Sequence, residues 1–424
     1  MAGPAIRYWE FAKALSKSHE VTIITLNEPE DPPQDFKIIS IKKTPWKTIF
    51  KNIDVIIAQY LPHNIALKAK KNGLKIIIDA YDPMPLENLE VFKNDPLKLR
   101  NQKNESIIQS FNFSFSIADS IICANQRQKD LWLGYLLSLK KITPELYDKN
   151  SSLKGTIDIV PFGLSSNPPK KNGEGLRQRF GLKENDKVLL WGGGIWNWFD
   201  PLTLIQAIKI LSQKRSDIKL VFMGIKHPND QIPEMKMTGQ AINLARELDL
   251  LDKNVFFNYG WTPYQERQNF LLEADIGIST HSDHLETHYA FRTRILDYIW
   301  ALLPIISTEG DSFSELIESH QLGKVVPYKN PEALVDAIES ILDNCEFTEK
   351  IKENLLKIRP VFYWETIIKP IEEMIAIFDK QPKRKISFKD YECILSSCYI
   401  EKGLLNIIKH VCKRLLIKLN IHVA

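Results

Sequence analysis

Short runs of β-branched and aliphatic residues recur along this chain, with stretches of helical apolar spacing between them. In the first half the runs cover residues 21–26, 55–59, 75–79, 120–124 and 158–160. In the second half they cover 187–191, 218–223, 254–258, 276–279, 304–307 and 324–326. Strands alternating with helices predict parallel sheets wound with helices on both faces, an α/β fold of doubly wound type. The polar, proline- and glycine-bearing segment 162–175 (FGLSSNPPKKNGEG) separates the two sets and reads as a linker. Two Rossmann-like domains, 1–165 and 166–375, are expected, followed by a tail at 376–424.

Composition fits this picture. At 424 residues, 44% hydrophobic and 25% charged, the chain is long enough for two sizeable cores and ordinary for a soluble protein. No apolar run approaches the ~20 residues that span a bilayer, and no signal-peptide pattern opens the chain. Five cysteines, odd in number and without metal-type spacing, read as reduced thiols of a cytoplasmic protein.

Charge changes the reading of the tail. The net charge is +4, but residues 381–424 hold nine basic and three acidic residues, an excess of +6, so the rest sums to −2. Residues 402–421 also have helical period, with Leu404, Ile408, Val411, Leu415 and Leu419 on one side. Lys402, Asn406, Lys409, Lys413 and Arg414 lie largely opposite. Two readings stay open: a basic amphipathic helix on an anionic membrane surface, or a helix docked on the protein itself. Nucleic acid is not an expected partner, because the stretch lacks interleaved aromatics and any recognised binding module.

Candidate chemistry concentrates in residues 286–315, ETHYAFRTRILDYIWALLPIISTEGDSFSE. Arg294 and Asp297 are three residues apart and share a helix face. A cation for phosphate oxygens beside a carboxylate for ribose hydroxyls suits a nucleotide-sugar pocket. On the pair alone, an ordinary surface ion pair stands first. Gly192, Gly193 and Gly194 follow a predicted strand and precede a helix start at Pro201, where bare amides and the helix dipole favour phosphate. His281, Asp283, His284, Glu286 and His288 have spacings seen in zinc sites, but they lie in a loop without partners elsewhere for a closed shell.

The run FRTRILDYIWALLPII resembles the nucleotide-binding segment of family 4 glycosyltransferases (glycosyl transferases group 1). There a basic residue precedes an acidic one, ahead of an alanine, a small residue and a proline. The resemblance implies that Asp297 holds the donor's ribose and Arg294 reaches its diphosphate, with Ala301 and Pro304 completing the pattern. The usual pair of glutamates becomes Tyr289 and Asp297, with Glu286 nearby, and Leu303 stands for the usual glycine before the proline. The implied fold is the B-type glycosyltransferase fold, two Rossmann-like domains facing a cleft.

The implied activity is retaining transfer of a sugar from a nucleotide-sugar donor to an acceptor hydroxyl, without a metal or other cofactor. Saccharide or lipid-linked acceptors and bacterial surface polysaccharide or glycolipid synthesis are the expected setting, on the cytoplasmic side and peripheral to the membrane. The first ten residues resemble the glycine-bearing loop and first helix of the family, without the strand that usually precedes them. Gly3 would then approach a bound sugar or phosphate.

Gly192, Gly193 and Gly194 would line the phosphate path, and Lys226 would supply the cation that their loop lacks. Gly260 and Trp261, in YGWTPY, would meet the nucleobase. His284, Glu286 or His288 would contact sugar hydroxyls. Asp82, fixed by Pro83, would bind acceptor hydroxyls, assist proton removal or simply cap a turn, and Asn125, Gln126 and Arg127 would add acceptor or phosphate contacts. Two other classes stay open: a nucleotide-sugar epimerase of the same fold, and an inactive, partner-binding relative.

Overall fold

The structure is a computed structural model and describes residues 3–27, 34–226 and 235–380. The predicted helix over residues 402–421 lies outside the described residues. The described residues form two compact units. One holds those within Ile24–Glu30, Ile39–Val160 and Pro370–Ala424, the other those within Met1–Ile23, Asp31–Ile38 and Pro161–Lys369.

Strands are numbered along the chain. β1 (Thr22–Thr25) and β2 (Lys37–Ser40) form a two-stranded sheet, whose Ile24 and Ile39 pack on the core of the first unit. That core surrounds a parallel sheet of β3 (Val55–Ala58), β4 (Lys75–Asp79), β5 (Ser120–Cys123) and β6 (Ile157–Ile159), adjacent in that order. β4 reads Lys-Ile-Ile-Ile-Asp and is buried at every position, as expected of an interior parallel strand covered on both faces. Phe113 and Phe115 of the Leu97–Ile117 helix and Trp132 of the Gln126–Ser138 helix join this core. The buried Gln128 side chain accepts from Ala124 N–H at 2.8 Å and donates to the Tyr81 carbonyl at 2.8 Å. Trp132 Nε1 donates to the Ala80 carbonyl at 3.0 Å. Backbone groups released where β4 and β5 end are thereby satisfied.

The other unit is built on six parallel strands: β7 (Lys187–Trp191), β8 (Ile218–Phe222), β9 (Val255–Phe257), β10 (Ile276–Ser279), β11 (Ile305–Thr308) and β12 (Gly323–Val326). Their order is β12-β11-β10-β7-β8-β9. From β7 the sheet grows one way through β8 and β9, and the other way from β10 through β12. The boundary between β7 and β10 is therefore the topological switch point, where diverging loops leave a crevice beyond the carboxyl ends.

Each strand expected from the sequence is present, several shifted by a residue at one or both ends. β2 is an addition. The Gly3–Leu15 helix groups with residues 161–369 rather than with the rest of the 1–165 segment. Phe11 meets Trp364 edge-on at 5.8 Å, and Arg7 Nη1 donates to the Pro161 carbonyl at 2.7 Å. Gly3, expected in a loop, is the exposed first residue of this helix.

Candidate active site

The site in the six-stranded unit is organised by the Thr293–Ala301 helix, which buries Arg294, Ile295, Leu296, Tyr298, Ile299 and Trp300. Its seat on the sheet depends on Gly277 in β10. A Cβ there would lie 2.4 Å from Tyr298 Cγ, so only glycine admits the ring against the strand. The Tyr298 hydroxyl accepts from Gly192 N–H at 2.8 Å, and its proton faces the carbonyls of Leu190 and Ile278 at 3.0 and 2.9 Å. Burial pushes the phenol up to about 12, so it remains a donor at neutral pH. One hydroxyl thus ties the ends of β7 and β10 and fixes the first amide of the glycine run. Arg294 stands one turn earlier on the same helix.

The glycine loop is otherwise bare. Gly193 takes φ +83°, and a Cβ there would meet nothing within 4 Å, so its requirement is conformational. Asp200 accepts from Thr203 N–H at 3.1 Å and so caps the Pro201–Lys214 helix. Thr280, just past β10, donates its hydroxyl to the Asp200 carbonyl at 2.6 Å. The loops on the two sides of the switch point are therefore stitched together.

Arg294 Nη2 donates to the Gly194 carbonyl at 2.8 Å. Its guanidinium lies 4.6 Å from the Trp191 ring and 4.0 Å from the Phe199 ring. Nη1 is buried without a hydrogen-bond partner, and among the described residues no carboxylate pairs with this arginine. Burial, with Arg292 adding to it, pushes the Arg294 pKa down to about 10. A buried cation without a counter-ion is costly, and such groups concentrate at functional sites.

Arg292 is the opposite case. Its Nη1 and Nη2 donate to Glu286 Oε1 and Oε2 at 2.8 and 2.7 Å. Glu286 is 2% exposed. The carboxylate that the sequence offers to sugar hydroxyls is instead committed through both oxygens to Arg292, because a buried arginine needs that counter-charge. His284 is committed as well: Nδ1 accepts from Thr287 N–H at 3.2 Å, and Nε2 faces the Trp198 carbonyl at 3.1 Å. His281 Nε2 donates to the Glu309 carbonyl at 2.9 Å, and burial beside Arg292 holds its pKa well below the usual range. His288 packs edge-on against Tyr289. Among the described residues, no group of three or more His, Cys, Asp or Glu is placed to hold a metal ion.

Asp297 is partly open, its side chain 27% exposed, and it accepts from Arg267 Nε at 2.8 Å. Past β8 and β9 the loops are joined: Lys226 N–H donates to the Gly260 carbonyl at 3.4 Å, and Asn258 Nδ2 donates to the Met223 carbonyl at 2.8 Å. The structure thus groups Lys226 with Gly260 and Trp261, and Arg294 with Gly192, Gly193 and Gly194. The Lys226 side chain is exposed. The left-handed turn that ends the Thr293–Ala301 helix falls on Leu302, at φ +57°. The position that wants glycine is therefore Leu302, not Leu303.

The four-stranded unit carries its own cavity of about 280 Å³ at the carboxyl ends of β3 and β4, lined by Gln59, Asp79, Asp82, Met84, Phe111 and Phe115 among others. Asp82 accepts from Gln59 Nε2 at 3.1 Å. Asn125 is a helix cap, accepting from Gln128 N–H at 2.8 Å.

Residues 174–357 match the family model of glycosyl transferases group 1. The lipopolysaccharide 1,2-N-acetylglucosaminetransferase of Salmonella typhimurium is 24% identical over 227 residues, 53% of this chain and 58% of the relative's own length. The putative glycosyltransferase YtcC of Bacillus subtilis is 20% identical over 81% of this chain and 79% of its own. Among solved structures, Anabaena HepE in complex with UDP and glucose aligns with a TM-score of 0.61 at 15% identity, covering 89% of this chain and 96% of that one. Residues 174–357 are therefore a glycosyl transferases group 1 domain, set in a chain with the B-type glycosyltransferase fold.

Proposed function

We propose that this chain is a retaining glycosyltransferase that moves a sugar from a nucleotide-sugar donor to an acceptor hydroxyl. The setting is the synthesis of a bacterial surface polysaccharide or glycolipid on the cytoplasmic face of the membrane. The observation that carries the proposal is Arg294: a buried, unpaired cation beside three glycines at the switch point of a parallel sheet. That is a place prepared for an anion. The name of the Salmonella relative and the ligands of HepE support the same substrate class.

In this reading the bond between the anomeric carbon and the diphosphate breaks, and its electron pair leaves with the diphosphate. The acceptor oxygen bonds the same carbon, and its proton passes to the departing phosphate oxygen. Charge grows on the leaving group, so cations and aligned amides count most in the transition state. Arg294 and Lys226 supply the cations, in place of any metal ion. Gly192, Gly193 and Gly194 supply amides, Asp297 holds the ribose, and Gly260 and Trp261 meet the base. Asp82, in the cavity of the four-stranded unit, holds the acceptor hydroxyl.

The test is release of nucleoside diphosphate from UDP-, GDP- and ADP-sugars, with and without saccharide or lipid-linked acceptors. Product configuration is read by NMR. Arg294→Ala and Asp297→Ala are expected to lose turnover, and Asp82→Asn to lose acceptor-dependent turnover while donor binding persists. Parent-like binding and turnover in both donor-site variants would refute the assignment. A free epimerised monosaccharide would make the chain an epimerase, and donor binding without turnover would make it a binding relative.

A further inference from the structure

We propose that Arg267 is a positioning residue that makes Asp297 selective for a ribonucleotide donor over its 2′-deoxy counterpart. This rests on the donor-site assignment above. Arg267 comes from the segment after β9, far from Asp297 in sequence, and is 7% exposed. Its guanidinium lies 3.7 Å from the Tyr264 ring and 4.4 Å from the Trp300 ring. Nη1 donates to the Tyr264 carbonyl at 2.6 Å, and Nε donates to Asp297 Oδ1 at 2.8 Å.

Each contact removes a degree of freedom. Two aromatic faces fix the plane of the guanidinium, the carbonyl fixes its rotation, and the remaining edge presents Nε to the carboxylate. One oxygen of Asp297 is thereby occupied and oriented. The other, Oδ2, accepts from no described residue, on a side chain that keeps 27% exposure. A carboxylate held by one oxygen and open at the other is shaped to take a hydroxyl, and a vicinal diol is what ribose offers and deoxyribose lacks.

In this pair the Arg267 side chain is enclosed, while Asp297 keeps 27% exposure. Burial works against the arginine's charge, and Asp297, Tyr264 and Glu10, on the first helix, together more than offset it. Removing the arginine frees Asp297 to turn toward water, so the loss falls on the contact to the ribose rather than on the phosphate end of the donor.

The experiment uses the full chain and titrates UDP, GDP and ADP, each against its 2′-deoxy counterpart, with parent, Arg267→Lys, Arg267→Met and Asp297→Asn. The parent is expected to prefer the ribonucleotide it binds by at least about 10-fold, the loss typical of one charge-assisted hydrogen bond. Arg267→Met should bring that ratio to within about 2-fold, with the deoxynucleotide affinity little changed. Arg267→Lys, which keeps the charge but not the planar edge, should fall between.

A variant that weakens both nucleotides equally and keeps the parent's ratio would overturn the proposal, leaving Arg267 structural. Should Arg267→Met fail to fold, Arg267→Lys decides by the same ratio. A parent that binds nucleoside diphosphates without preference overturns this inference but leaves the donor site standing. A parent that binds none of them overturns both.

Discussion

Arg294→Met separates a cation kept for a ligand from one kept for the fold. Burial holds the parent guanidinium's pKa down at about 10. A displacement of that size from arginine's ordinary value corresponds to roughly 3 kcal/mol against folding with the charge in place. The sign follows from linkage: with the folded pKa lowered, the cost is fully present at neutral pH and fades only as pH rises above about 10. Methionine removes that cost. It also removes the 2.8 Å bond to the Gly194 carbonyl and the two ring contacts, together about 2 kcal/mol. Its thioether fills the slot between Trp191 and Phe199 with favourable sulfur–aromatic contacts. Without ligand, the variant is therefore expected to melt at the parent's temperature or a few degrees above it. With nucleoside diphosphate at a hundred times Kd, the parent gains about 2.7 kcal/mol, and the variant gains little. Thermal melts with and without UDP, GDP and ADP read both quantities. A variant that melts well below the parent and still shifts with ligand would refute the reasoning.

The other expectations follow from neighbouring groups. Glu286→Gln leaves Arg292 buried without its bidentate partner, a loss of about 3–5 kcal/mol that calorimetry should read as a melting temperature lower by roughly 10 °C. Glu10 is held above the usual carboxylate range by burial, so it favours the folded state below its unfolded pKa and loses that contribution as pH rises through its folded one. Glu10→Gln should accordingly be more stable than the parent at neutral pH, with a flatter stability profile as pH rises above the ordinary glutamate range. A chain lacking residues 381–424 should lose any salt-sensitive binding to anionic liposomes while keeping the parent's melting temperature, since each tail lysine or arginine contributes about 1 kcal/mol near such a surface.

Much of the fold was legible because its strands are buried on both faces. A run such as Lys-Ile-Ile-Ile-Asp in β4 has no polar alternation to blur it, and the linker's prolines and glycines mark where one set ends. β2 escaped because Lys37–Ser40 offers only two adjacent isoleucines, too few to set a period. Helix spacing placed Arg294 and Asp297 together, and the glycine triplet announced a bare loop. The sequence could not show that Gly277 exists to admit Tyr298, since the two meet only when β10 lies beneath the helix. Nor could it show that Glu286 answers Arg292, or that Arg267 reaches Asp297 from the segment after β9. The Arg267–Asp297 pairing joins separate elements of the unit, and the Glu286–Arg292 pairing depends on the turn between two short helices, which spacing alone does not specify.

The three arginines differ in how their charge is met. Arg292 and Arg267 are both buried, and each has a carboxylate: Glu286 through two bonds, Asp297 through one. Phe199 lies within 4.9 Å of Arg292 and 4.0 Å of Arg294, lining both cations with an aromatic ring. Among the described residues Arg294 alone of the three has no carboxylate partner, and its Nη1 is an unmet donor. Its helix is fixed by the Tyr298 hydroxyl, which also orders Gly192, and its own Nη2 is tied to the Gly194 carbonyl. The nearest relief for its charge is an anion entering beside the glycine loop. Under the proposed function a diphosphate meets that need, and its departure with an extra negative charge meets it further.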